Sequence, residues 1–148
     1  MSATIFVDTN VLLYARDASE PVKQPLARHW LDELWSRRIG RSSFQVMHEY
    51  YVAVTRKLKP GLTHAEAQAD IRDLLTWRPL VADQEIVEDA WWLEARFELS
   101  YWDALVVAAA RAARCERLLT EDLRDGQDLD GLIVTNPFTA TPEECGLE

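Results

Sequence analysis

The stretch TIFVDTNVLLYA, residues 4–15, decides how the chain is read. Ile5, Phe6 and Val7 form an apolar, partly β-branched run that reads as a buried strand over residues 4–8. It stops at a carboxylate, Asp8, and an apolar helical pattern resumes over Val11–Ala15. A buried strand that ends on an acid has two readings. Asp8 is either the cap of the following helix or a ligand for a cation.

The rest of the chain repeats the alternation. Residues 22–37 are expected to form a helix with an apolar stripe of Leu26, Trp30, Leu31, Leu34 and Trp35. IGRS, residues 39–42, reads as a short strand. Residues 43–58 read as a helix with a core stripe of Phe44, Met47, Tyr51, Val54 and Leu58, stopped by Pro60-Gly61. Ser42-x-x-Gln45 and Thr63-x-x-Glu66 have capping-box spacing and open two helices. Residues 78–82 read as a strand and 84–99 as a helix. Residues 101–114 form a helix apolar nearly all round, hence buried. RLLT, residues 117–120, and LIVT, residues 132–135, read as strands. Strands separated by helices predict one α/β domain over residues 1–148, with a mainly parallel sheet between two helical layers.

In such a sheet the ligand site lies beyond the carboxyl ends of the strands. Asp8 ends the first strand and Asp122 closely follows RLLT, so both are expected on the same edge. Asp103 lies in the first turn of the buried helix. Ser100-x-x-Asp103 also has the spacing of a cap, the structural reading of that acid. Glu49 is expected at the boundary of its helix's core stripe, beside Val46 and Ala53. Each acid alone reads as a cap or as surface. Two acids at the strand ends of one edge, with two more on semi-buried helical positions, read together as a cation site, because clustered carboxylates raise one another's pKa unless a cation is present. An all-oxygen set favours Mg²⁺ or Mn²⁺ over zinc, and metal-assisted phosphodiester hydrolysis is the chemistry that follows. The stretch DLRDGQDLDG, residues 122–131, lacks the spacing and closing Glu of a calcium loop.

Composition narrows the class. The 148 residues carry 16 basic and 25 acidic side chains, a net charge of −9, which argues against non-specific nucleic-acid binding. The charge is uneven: Arg37, Arg38, Arg41, Arg56, Lys57 and Lys59 share a stretch with one acid, Glu49. A basic track leading to the carboxylates is expected from Arg41 and Arg56, helped by Arg37 or Arg38. No apolar run approaches the roughly 18–20 residues of a membrane span, and no secretory signal is evident. Cys115 and Cys145 have no metal-ligand spacing. A cytoplasmic, reduced protein is the expectation.

FVDTNVLLYA, QVMHEYY, LSYWDALVVAAA, LLTEDL and VTNPF, in that order, resemble the PIN-domain family, most closely VapC-like toxins of type II toxin–antitoxin pairs. The resemblance implies a parallel-centred α/β/α sandwich and a Mg²⁺- or Mn²⁺-dependent endoribonuclease restrained by a cognate antitoxin. It implies Asp8, Glu49, Asp103 and Asp122 as catalytic, metal-binding acids, with Glu121 and Asp125 as neighbouring alternatives to Asp122. Thr9, Asn10 and Thr120 match its supporting positions. RNA is then the substrate and a homodimer the expected assembly. The helix bearing Trp30 and Trp35 is expected to supply part of a hydrophobic groove for an antitoxin segment. Two other readings compete: a PIN nuclease of RNA processing or DNA repair without toxin activity, and a binding module whose acids are structural caps.

Overall fold

A computed structural model of the chain describes residues 3–147. Its elements run β1 (Ile5–Val7), α1 (Thr9–Arg16), α2 (Lys23–Arg37), β2 (Gly40–Arg41), α3 (Phe44–Val52), α4 (His64–Leu74), α5 (Gln84–Phe97), α6 (Tyr101–Ala112), β3 (Arg117–Leu119), β4 (Asp128–Leu129) and β5 (Leu132–Thr135). The strands form one sheet in the order β2-β1-β3-β5-β4, parallel except for the β4–β5 pair. The architecture is the expected three-layer α/β/α sandwich. Helix α6 packs on α5 and rests on β3 and β5, while α1 packs against α2 and α3.

The central strands are buried on both faces, which is why they read as continuous apolar runs. Phe6, Val7, Leu118 and Leu119 are fully buried, and every residue of α6 from Ala104 to Ala110 is buried. The parallel register sets Val7 beside Leu119, so the chain leaves β1 and β3 side by side on one edge. That alignment positions the site.

Several local expectations are corrected. The cap of α3 is Ser43, whose hydroxyl accepts from Val46 N–H at 3.3 Å, and not Ser42. Ser42 instead donates to the Val7 carbonyl at 3.2 Å and is buried. Of the expected core stripe, Met47 and Val54 are buried while Phe44, Tyr51 and Leu58 are half-buried, and Val46 and Tyr50 take the remaining buried places on α3. From Ala53 to Lys57 the helix winds as a π-helical turn. Residues 78–82 do not form a strand: Arg78 takes a left-handed conformation, and only a parallel bridge between Ser43 and Leu80 remains. The expected Thr63–Glu66 capping box is present, with both reciprocal bonds at 3.1 Å. Strand β4 was not anticipated. It is two residues long and closes on β5 through Asp130 and Gly131, both at positive φ.

Trp30 is almost fully buried, and its indole N–H donates to the Pro137 and Ala140 carbonyls. It is a core residue and not part of an open groove. Trp35 keeps 38% of its surface exposed and lies against Trp77, ring centroids 4.8 Å apart.

Candidate metal centre

Asp8 stands where β1 hands over to α1. Its N–H continues the sheet ladder to the Leu119 carbonyl at 3.1 Å, and its carboxylate accepts from Thr9 N–H at 2.8 Å as the cap of α1. The cap and the strand-end acid are thus one residue in two roles. The second carboxylate oxygen accepts from the Thr120 hydroxyl at 2.9 Å and, at longer range, from the Asn10 amide at 3.4 Å. Burial pushes the Asp8 carboxyl up to about 7. Its donors Thr9 and Thr120 oppose the shift, while Asp122 and Glu49 add to it.

Thr120 and Asn10 tie this acid to the next one. Thr120 is fully buried, and its hydroxyl oxygen also accepts from the Asn10 amide at 2.9 Å and from Asp122 N–H at 3.1 Å. Its one donor and both acceptor positions are filled. The Asn10 amide nitrogen also reaches Asp122 Oδ2 at 3.2 Å, and its carbonyl oxygen accepts from Glu121 N–H at 3.3 Å. Partial desolvation raises the Asp122 carboxyl; Asn10 opposes this, while Asp103, Glu121 and Glu49 add to it.

The two neighbouring acids face elsewhere. Glu121 pairs with Lys23 at 2.8 Å, and Asp125 accepts from Asn136 N–H at 2.9 Å. Of the three candidates after β3, only Asp122 joins the Asp8 network through its side chain.

Glu49 is exposed, not at the half-buried boundary expected for it. It is nevertheless held at both oxygens: Thr9 Oγ1 donates to Oε2 at 2.8 Å and Gln45 Nε2 to Oε1 at 3.0 Å. Gln45 also donates to the Trp102 carbonyl at 3.2 Å, joining α3 to the first turn of α6. Gln45 is a helical neighbour of Glu49 by its spacing of four, and such pairs meet on a helix; the sequence also offered it as a cap residue, a role the structure gives to Ser43 instead. Asp103 is half-buried in that first turn. Its backbone N–H, 3.2 Å from the Ser100 hydroxyl, completes the cap, which leaves its carboxylate free of that duty.

The four acids are spread wider than a closed cage. Among the described residues, only His29, Glu33 and Glu143 bring three potential ligand atoms within 4.8 Å of one another. That surface group is a hydrogen-bonded cluster, with Glu33 paired to Arg37 at 2.9 Å and His29 Nε2 within 2.9 Å of Glu143. The Asp8 group has the chemistry for a hard divalent cation: oxygen donors only, on two carboxyls whose pKa is raised by burial first and by neighbouring acids second.

The two arginines expected to build a basic track lie on different elements, Arg41 on β2 and Arg56 on the turn that follows α3. Arg41 bonds to the Gly40 carbonyl at 2.7 Å and lines a cavity whose walls include none of the four acids. Arg56 is exposed on the π-helical turn.

Comparison with solved structures supports the same architecture. A toxin–antitoxin complex from Klebsiella pneumoniae aligns over 90% of this chain and 98% of its own, with a TM-score of 0.66 and 22% identity. VapC20 of Mycobacterium tuberculosis, described as a sarcin–ricin loop cleaving toxin, covers 80% of this chain and 92% of its own, with a TM-score of 0.61 and 25% identity. VapBC2 of Rickettsia felis, bound to a promoter DNA fragment, covers 90% and 98%, with a TM-score of 0.60 and 18% identity. A comparison with curated proteins finds no match. The PIN domain family model matches residues 5–128, most of the chain, and the protein therefore belongs to the PIN-domain family.

Proposed function

We propose that the protein is a Mg²⁺- or Mn²⁺-dependent endoribonuclease, the toxin of a type II toxin–antitoxin pair, acting in the cytoplasm. The observation that carries this reading is the pairing of Asp8 and Asp122 across adjacent parallel strands. Buried Thr120 and half-buried Asn10 join them, and burial together with the neighbouring acids raises both carboxyls. Asp8, Glu49 and Asp103 would hold the principal metal, with Asp122 completing the site. The metal, when bound, would polarise the scissile phosphate and activate water for its hydrolysis.

The protein's own residues set the geometry. Thr120 and Asn10 fix the rotamers of Asp8 and Asp122. Thr9 and Gln45 fix Glu49 although it is exposed, and so limit the side-chain entropy lost when it takes a ligand. The likeness to toxins solved with their antitoxins supports an antitoxin partner. Trp91, Trp92 and Trp102, each about half exposed or more, offer apolar surface to such a partner or to a second copy in a homodimer.

The test is cleavage of total cellular RNA with mapped ends, with Mg²⁺, Mn²⁺ or EDTA, by wild type and Asp8→Asn. Cleavage that needs the metal and is lost in the variant is expected. A variant that cleaves at the wild-type rate overturns the reading.

A further inference from the structure

A cavity of about 640 Å³ lies along edge strand β2, and none of the four acids lines it. Three arginines, Arg38, Arg41 and Arg78, line it together with Trp35 and Trp77. None of the three is in an ion pair with a described carboxylate, in a chain whose net charge is −9. Arg41 spends one nitrogen on the Gly40 and Arg38 carbonyls, leaving its other donors uncommitted. Arg38 and Arg78 follow the ends of two helical segments, both with positive φ, and both are exposed. Trp35 offers an exposed indole backed by Trp77.

Guanidinium forks match phosphate oxygens, and an exposed indole is a platform for a base. A carboxylate-rich peptide would use the arginines but not the ring. The cavity also adjoins the strand that carries Asp8. Ser42, in its wall, donates to the Val7 carbonyl one residue before that acid. We infer that this cavity is a second RNA-binding site, where a stretch of single-stranded RNA flanking the scissile bond lays phosphates on Arg38, Arg41 and Arg78 and a base on Trp35. The inference rests on the ribonuclease reading above. It assigns to one cavity the positive charge that a net acidic enzyme needs to hold a polyanion.

The test separates the two. Binding of a single-stranded RNA of about 12 nucleotides, within the range such sites span, is measured in EDTA over a salt series. The proteins are wild type, Arg38→Gln/Arg78→Gln and Trp35→Leu. Gln keeps a non-glycine residue at each left-handed position, so backbone strain is unchanged. The double variant is expected to bind several-fold more weakly, with its log K against log salt slope flattened by roughly 0.7 per lost contact. RNA is expected to quench wild-type tryptophan fluorescence, and Trp35→Leu to lose part of that quenching. An unchanged slope in the double variant, or quenching unchanged in Trp35→Leu, overturns the site. So does a polyglutamate peptide that binds as tightly as RNA at equal ionic strength. Wild type that fails to cleave RNA with Mg²⁺ or Mn²⁺, while the arginine-dependent slope persists, rejects the ribonuclease reading and leaves the cavity as an RNA site.

Discussion

The Thr120 hydroxyl lies 2.9 Å from Asp8 Oδ2, joining the ends of β1 and β3 through a side chain that is fully buried. Thr120→Val preserves shape and removes this donor, as well as the acceptor used by Asn10 and Asp122 N–H. Unsatisfied buried groups cost about 1–3 kcal/mol, so urea unfolding should show a loss of that order. RNA cleavage should fall with it, because Asp8 loses its tether. Full stability in the variant would mean that water replaces the hydroxyl.

Asp8 also makes the metal-free protein pH-sensitive. Its carboxyl titrates at about 7 when folded, against an ordinary value of 3.8. Between those values the folded chain holds a proton that the unfolded chain has released. Its contribution to stability is therefore complete below about 4 and is lost as pH rises through 7. In EDTA, the difference in unfolding free energy between wild type and Asp8→Asn should slope across this window, by on the order of a few kcal/mol. A flat difference from pH 4.5 to 7.5 would sink the prediction. At pH 7.5, saturating Mg²⁺ or Mn²⁺ should raise the melting temperature of wild type by mass action and leave Asp103→Asn nearly unmoved.

Asp70 links three helices. Its carboxylate accepts the Tyr50 hydroxyl at 2.6 Å and both the Nε and Nη2 of Arg16. Burial and the facing Asp70 raise the pKa of Tyr50. The Arg16 partner is 41% exposed and contributes little, about 0–1 kcal/mol. Tyr50→Phe should cost about 1 kcal/mol, and Asp70→Ala about 2–3 because it strands the Tyr50 hydroxyl. Thermal unfolding of these variants and Arg16→Ala gives the order, with Arg16→Ala the mildest.

Gly40 is required by contact. A Cβ there would lie 2.4 Å from Cζ2 of Trp77. Gly40→Ala should destabilise by about 1–3 kcal/mol through overpacking. Adding Trp77→Leu should then cost less than it does in wild type, and a double-mutant cycle that shows plain additivity would refute the contact.

The frame was legible because it rests on periodicity. The apolar runs at 5–7, 117–119 and 132–135 can only be buried strands, and the helical patterns between them force parallel pairing. Asp8 and Asp122 followed from the strand-end rule, before any contact was known. What stayed hidden depends on tertiary neighbours. Nothing local distinguishes Ser42 from Ser43 as a cap. The choice is made by the Val7 carbonyl, which engages Ser42 from another strand. Glu49 resembles a boundary residue by its helical neighbours, yet it faces solvent, because the buried places on α3 go to Val46, Met47 and Tyr50. β4 escaped notice because two residues carry no period.

The strand order has a consequence for synthesis. β1 pairs with β2 on one side and with β3 on the other, and β3 begins at residue 117. A ribosome-bound chain of about a hundred residues therefore has the seed of its sheet but neither the Thr120 tether nor Asp122. The site assembles only after most of the polypeptide has emerged. A chain stopped before residue 117 carries Asp8, Glu49 and Asp103 without the strand, the hydroxyl and the fourth acid that complete the group.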